Sequence, residues 1–262
     1  MIDIVALPWE VLLPFIIIGF LAQLLDGSLG LGFGIMSNAL LLLLGMPPAH
    51  AAAAVRSSES FVSGLSGLAH AINGNIDWPL FGRLVVPGIV GGLAGVWILL
   101  HVRDDMVRPV ILVYLAALGV YLTWRAPRRE VRYRRLRFTG IVAFAGGAVD
   151  ASGGGWGAVV TGSLLAQGAN PRTAIGTTNA AEFFVTVTVL AAFIGTLGLQ
   201  AYLVAATGLL LGGAAAAPIG PLVVRRAPPA ALIMAVGVFL IASSFYGLLA
   251  LVLGPIPNFP RL

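Results

Sequence analysis

Two short stretches of the chain hold the residue types best placed to do chemistry. Residues 25–34 read LDGSLGLGFG and residues 149–157 read VDASGGGWG. Each carries an aspartate (Asp26, Asp150) with a serine two positions on (Ser28, Ser152), then runs into glycines. These are Gly30, Gly32 and Gly34 in the first stretch, and Gly153, Gly154 and Gly155 in the second, where Trp156 follows. Glycine tolerates backbone angles closed to other residues, so consecutive amide N–H groups can turn toward one point. A helix that starts just beyond adds its positive end. Such a cradle suits an anion.

A second group lies downstream of each glycine stretch, in AAAAVRSSESF (51–61) and AIGTTNAAEFF (174–184). Arg56 and Glu59 are three residues apart, on one helical face, and can pair. Either they form a structural ion pair, or Arg56 is the counter-charge of a bound anion, since a guanidinium matches an oxyanion in bidentate fashion. Its counterpart in the second segment is Asn179, a neutral donor. Ser57, Ser58, Thr177, Thr178 and Asn179 can donate to ligand oxygens or bond between packed helices. Asp26 and Asp150 read as braces for the glycine loops or, with Glu59 and Glu182, as carboxylates that carry a coupled ion or proton. Trp156 is a gate or a space-filler.

The elements that position these groups must be membrane helices. The 262 residues are 59% hydrophobic and only 10% charged, with a mean hydropathy of +0.99. A soluble domain is about 25% charged. Spans of about 20 apolar residues fall at 50–72, 80–100, 107–124, 172–197, 200–224 and 230–253. The stretches 11–25, 35–45, 138–149 and 158–167 are too short to cross comfortably and read as broken or re-entrant helices. Because MIDIVALPWE is acidic at its start rather than basic, 11–25 is expected in the mature fold rather than in a secretory signal. Trp9, Trp78 and Trp124, near span ends, read as interfacial anchors.

Charged as well as apolar residues recur at an offset of about 123 residues: Asp26 with Asp150, Glu59 with Glu182, Pro48 with Pro171, Gly91–Gly92 with Gly212–Gly213. The expected organisation is a first membrane repeat (1–124), an Arg-rich linker (125–137) and a second membrane repeat (138–262). The net charge of +5 comes from that linker, where Arg125, Arg128, Arg129, Arg132, Arg134, Arg135 and Arg137 face only Glu130. So local an excess does not describe a nucleic-acid surface. It places the linker in the cytoplasm. Walking outward, Arg83, Arg172 and Arg225–Arg226 fall inside, and the 103–108 loop falls outside, so the repeats are inverted. The fold class expected is all-α and polytopic, with each inverted repeat contributing a short broken hairpin and three spanning helices. Inverted repeats with Gly-interrupted short segments point to a transporter whose site lies at those segments.

The doubled pattern, SLGLGFGIMSNALLLLLGMPP and SGGGWGAVVTGSLLAQGANP, each followed by a Ser/Thr/Ala-rich helix start, resembles the sulfite exporter TauE/SafE family of bacterial anion carriers. The resemblance runs from about Val11 to Leu253. The first copy departs from the family pattern, with Leu31 and Phe33 interrupting its glycines. The resemblance implies secondary transport of sulfite, sulfonates or related sulfur oxyanions in the bacterial inner membrane, without a cofactor or enzymatic step. The partners expected are a small anion and the lipid bilayer, with self-association left open and nucleic acid excluded. A passive anion channel would use the same loops. An intramembrane aspartyl protease would need two carboxylates sharing a proton, and the Gly-Asp order of that motif is missing here. With no cysteine and with His50, His70 and His101 scattered, no metal site is expected, and no P-loop occurs.

Overall fold

The computed structural model describes residues 9–29, 33–125, 138–152, 154–167, 169–216 and 229–253, and every described element is helical. In chain order they are α1 (Trp9–Leu29), α2 (Phe33–Leu43), α3 (Pro48–Ile72), α4 (Trp78–His101), α5 (Asp104–Arg125) and α6 (Thr139–Asp150). A π-helical turn (Gly157–Thr161) then leads into α7 (Gly162–Ala166), α8 (Pro171–Leu197), α9 (Leu203–Ala216) and α10 (Pro229–Leu253). Four of them contain stretches long and apolar enough to cross a membrane: Trp78–His101, Asp104–Trp124, Thr173–Leu197 and Met234–Val252. Their outer faces leave large apolar side chains exposed, Val86, Val90 and Trp97 on α4 and Val110 and Val113 on α5 among them. This is the face a lipid-solvated helix presents.

The stretch 11–25 falls, as expected, among the shorter apolar helices, with Trp9–Leu24 as its apolar part. The helix itself runs further, since α1 is continuous for 21 residues, about 31 Å at ~1.5 Å per residue. Helix formation runs through Asp26, Gly27 and Ser28, which read in the sequence as a stop. In a membrane an intact helix satisfies its own backbone hydrogen bonds, and that outweighs the low propensity of three residues. The other short stretches are short as expected: α2 has 11 residues, α6 has 12, and α7 follows a single π-turn. The span expected over 200–224 is helical over Leu203–Ala216, after a turn in which Gly198 has φ 75°; residues 217–228 lie outside the described residues.

The helices pair across the two halves of the chain: α1 with α9, α4 with α6, α3 with α8, α5 with α10. Glycines set the closest crossings. A Cβ on Gly91 would strike the Phe144 carbonyl, and one on Gly212 the Ile16 carbonyl, so each of these repeat-related glycines seats a backbone against a backbone. Neighbouring contacts give the directions. Gly95 meets Ala148 where Gly91 meets Phe144, so α4 and α6 run parallel. Gly64 meets Phe183 and Gly67 meets Ala180, so α3 and α8 run antiparallel, as do α5 and α10 through Gly119–Gly237 and Leu112–Gly247. Small residues that permit close approach are what membrane helices use for association. Gly212→Val is therefore expected to cost roughly 1–3 kcal/mol or more by overpacking and to lower the melting temperature in detergent. Gly82→Ala, where a Cβ meets nothing within 4 Å, should leave it unchanged or slightly raised. Equal melting of the two variants would contradict this packing.

Helix α3 is the polar exception among the long helices. Its Ala51–Val55 run is fully buried, and it presents Arg56, Ser57, Ser58 and Glu59 to the centre of the bundle rather than to lipid.

Candidate functional site

The second glycine segment meets the start of α2. Gly154, at φ 126°, lies so close to the start of α2 that a Cβ there would stand 2.5 Å from the Gly34 carbonyl carbon and the Ile35 nitrogen. Gly155, at φ 145°, leaves the same clearance to Tyr114 Oη. Side chains with a Cβ rarely adopt these angles, so both the angle and the space require glycine. Asn38 of α2 donates from Nδ2 to the Ser152 carbonyl at 2.8 Å and fastens the two segments together.

Arg56 sits beneath this junction, fully buried. Its Nη1 lies 2.6 Å from Glu59 Oε2 and 2.6 Å from Asp150 Oδ2. Asp150 is the last residue of α6, where the helix end carries partial negative charge. A buried carboxylate there needs a cation, and Arg56 is that cation. The other carboxylate oxygen, Oδ1, accepts the Trp156 backbone N–H at 3.0 Å. Asp150 thus spans the glycine break and braces it. With Glu59 and Asp150 both on Arg56, the central cluster contains more carboxylate than cation.

Gly34 has no room for a side chain because the Glu59 carboxylate and Arg56 Nη2 fill the space against it. Arg56 Nε and Nη2 themselves have no hydrogen-bond partner among the described residues, nor do Tyr114 Oη, Ser37 Oγ and Asn38 Oδ1. Native interiors leave few buried polar atoms unpaired, and each costs about 1–3 kcal/mol. Here several are grouped around Gly34 and the Gly154–Gly155 turn. Directly after the second break comes the π-turn, a feature frequent at functional sites.

The family model described as "Sulfite exporter TauE/SafE" matches residues 15–247. The chain belongs to the sulfite exporter TauE/SafE family. It is 35% identical over 240 residues to "Probable membrane transporter protein YtnM" of Bacillus subtilis (strain 168), covering 88% of this chain and 80% of that one. No solved structure matches the chain. Both glycine segments and the whole Arg56 cluster fall inside the TauE/SafE match.

Several hydroxyls proposed from the sequence as ligand donors are engaged elsewhere in this TauE/SafE chain. Ser57 donates to the Ala53 carbonyl at 2.9 Å, and Ser58 to that of Ala206 at 3.1 Å, tying α3 to α9. Thr177 Oγ1 accepts the Asp77 N–H at 2.9 Å. Thr178 donates to the Ala174 carbonyl and accepts from Thr161, while Asn179 donates to Ser66 Oγ at 2.8 Å. Ser152 donates to the Val149 carbonyl at 2.6 Å. Trp156 is fully buried, donates from Nε1 to the Thr178 carbonyl at 3.2 Å, and packs its ring where a Cβ on Gly88 would stand. Gly30, Gly32 and Gly153, with the side chains of Asp26 and Ser28, lie outside the described residues.

The sequence reading missed Tyr114, Ser37 and Asn38. An asparagine inside the apolar run of α2 was the available signal for the last. Arg108, expected in the 103–108 loop, lies near the start of α5, where its guanidinium donates to the Leu42 carbonyl at the C-terminal end of α2, a favourable place for a cation. The described residues contain no cluster of metal-ligating side chains.

Proposed function

We propose that this TauE/SafE protein is a secondary transporter of a small sulfur-containing oxyanion across the bacterial cytoplasmic membrane. The anion would bind where the two broken segments meet. The observation that carries this reading is Arg56, a fully buried guanidinium with two unused donor atoms beside Gly34. The family description and the relative's name support transport of a sulfite-type anion. Nucleophilic chemistry has less support: Asp150 commits one oxygen to Arg56 and the other to the Trp156 amide, which leaves it poorly placed to share a proton with Asp26.

Charge counting adds a coupling ion. Arg56 already faces Glu59 and Asp150, so the three groups together carry one negative charge when both acids are ionised. An incoming anion would raise that to two in a medium where charge is costly. If Glu59 leaves Arg56 as a neutral acid when the anion arrives, the total does not change. One proton then travels with each anion.

The reading keeps the 125–137 linker in the cytoplasm, between repeats 1–124 and 138–262 of inverted orientation. Antiparallel α3/α8 and α5/α10 support that arrangement, since an axis lying in the membrane would exchange such pairs. Counterflow tests the transport reading. Proteoliposomes loaded with unlabelled sulfite, thiosulfate or methanesulfonate should transiently accumulate the same anion in labelled form against its gradient. A channel would give equilibration without overshoot, and no uptake of any of the three would overturn the substrate class.

A further inference from the structure

The two ends of the α3–α8 pair are finished differently. At one end the turn between α3 and α4 closes directly on α8: the Asp77 N–H donates to Thr177 Oγ1, and Gly176 fits so tightly under Asn75 that a Cβ would stand 2.5 Å from its carbonyl oxygen. At the other end a cavity of about 300 Å³ opens among α1, the turn from α2 to α3, and the start of α9. Its walls include Phe15, Met46, His50, Gln200, Tyr202 and Val204, and no acidic residue lines it. The central cluster, by contrast, is crowded with carboxylates.

Two polar groups stand on this wall. Tyr202 is 1% exposed and its phenol lies beside the Ser57 hydroxyl, and Ser57 adjoins Arg56 in the chain. His50 Nδ1 is buried with no hydrogen-bond partner among the described residues. Arg108, bonded to the Leu42 carbonyl, sets a positive charge near the same turn. A phenol, an imidazole nitrogen without a partner, no carboxylate in the lining and a nearby guanidinium favour a negatively charged visitor.

Building on the transport reading, we propose that this cavity is the vestibule through which the oxyanion reaches Arg56. Tyr202 and His50 hold the anion there, and the Tyr202 ring is the partition between vestibule and central site. The structure is then the state whose access faces the α2–α3 turn, with the opposite end sealed by Asp77 and Thr177. Removing the phenol hydroxyl weakens the first encounter without touching the Arg56 cluster.

The chain contains no cysteine, so a single thiol can be placed in the vestibule as Val204→Cys, or as Gln200→Cys if the first variant does not fold. Vesicles carrying it are treated from outside with an impermeant thiol reagent, washed, and assayed for uptake of whichever anion gives counterflow. Labelling is expected and should reduce uptake more than tenfold. Asp105→Cys, at an exposed position near the start of α5, should keep its uptake after the same treatment. Tyr202→Phe and His50→Gln should each raise KM about tenfold with kcat changed less than twofold. A vestibule thiol that stays unlabelled, or is labelled with full uptake retained, overturns the vestibule alone. Absence of counterflow in the unmodified protein overturns the transport reading beneath it.

Discussion

Replacing Arg56 with Gln should weaken anion binding by about 10- to 100-fold, the range expected when hydrogen bonds to a charged group worth ~1.5–3 kcal/mol are lost. The same change strands Asp150 and Glu59. Removing one partner of a buried ion pair typically costs about 3–5 kcal/mol, so Arg56→Gln alone should also melt early. Arg56→Gln combined with Asp150→Asn removes charge from both sides; it should recover much of the stability while anion binding stays lost. Glu59→Gln separates the two functions differently. It frees Arg56 and should bind at least as tightly as the unmodified protein, yet transport slowly if Glu59 carries the proton. Arg56→Lys should restore binding only in part, because an ammonium lacks the planar fork. Calorimetric titration of the anion, with melting measured in parallel, checks the series. Unchanged affinity in the stabilised double variant would reduce the cluster to structural glue.

Gly154→Val should abolish transport. At φ 126° a side chain is strained wherever space exists, a cost of order 1–3 kcal/mol. Here there is no space either, since the first carbon would press on the Gly34–Ile35 peptide. The relaxation open to the protein is to push α2 away from the second break, and that separates the donors grouped around Arg56. Uptake in proteoliposomes is expected to fall more than tenfold while the protein still elutes as a single species. Gly162→Ala, whose nearest contact would be an ordinary 3.8 Å, should transport normally. Full activity in Gly154→Val would show that the close approach of the two segments is dispensable.

How much of this was legible in the sequence follows from the range of the forces involved. The long spans could be read because a bilayer imposes a length, and the apolar runs at 80–100, 107–124 and 230–253 meet it. The Arg56–Glu59 pair could be read because helical geometry brings residues three apart together. The third member could not, since Asp150 is separated from Arg56 by 94 positions and is delivered by the packing of other helices. The continuity of α1 was hidden by Asp26–Gly27–Ser28, whose local preference is overridden by the need to satisfy the backbone in lipid. The engaged hydroxyls of Ser57, Ser58 and Thr178 carry a related lesson. In an apolar interior the carbonyl one turn back is always within reach, so a polar residue in the right place is often already spoken for.

The pairing of helices across the two halves has a consequence for synthesis. Among the described residues the extensive contacts join α1 to α9, α4 to α6 and α8, α3 to α8 and α5 to α10. Helices leaving the ribosome first therefore wait in the membrane for partners made last: α1 needs α9, and α5 needs α10. Arg56 can be held by Glu59 during that interval, because both sit on α3. Asp150, arriving with the second half, has no such local companion and is neutralised only when α6 docks. Truncation after the linker would leave the first half inserted but with its Gly-rich faces uncovered, a target for quality-control proteolysis. Co-expression of the severed halves should rescue it.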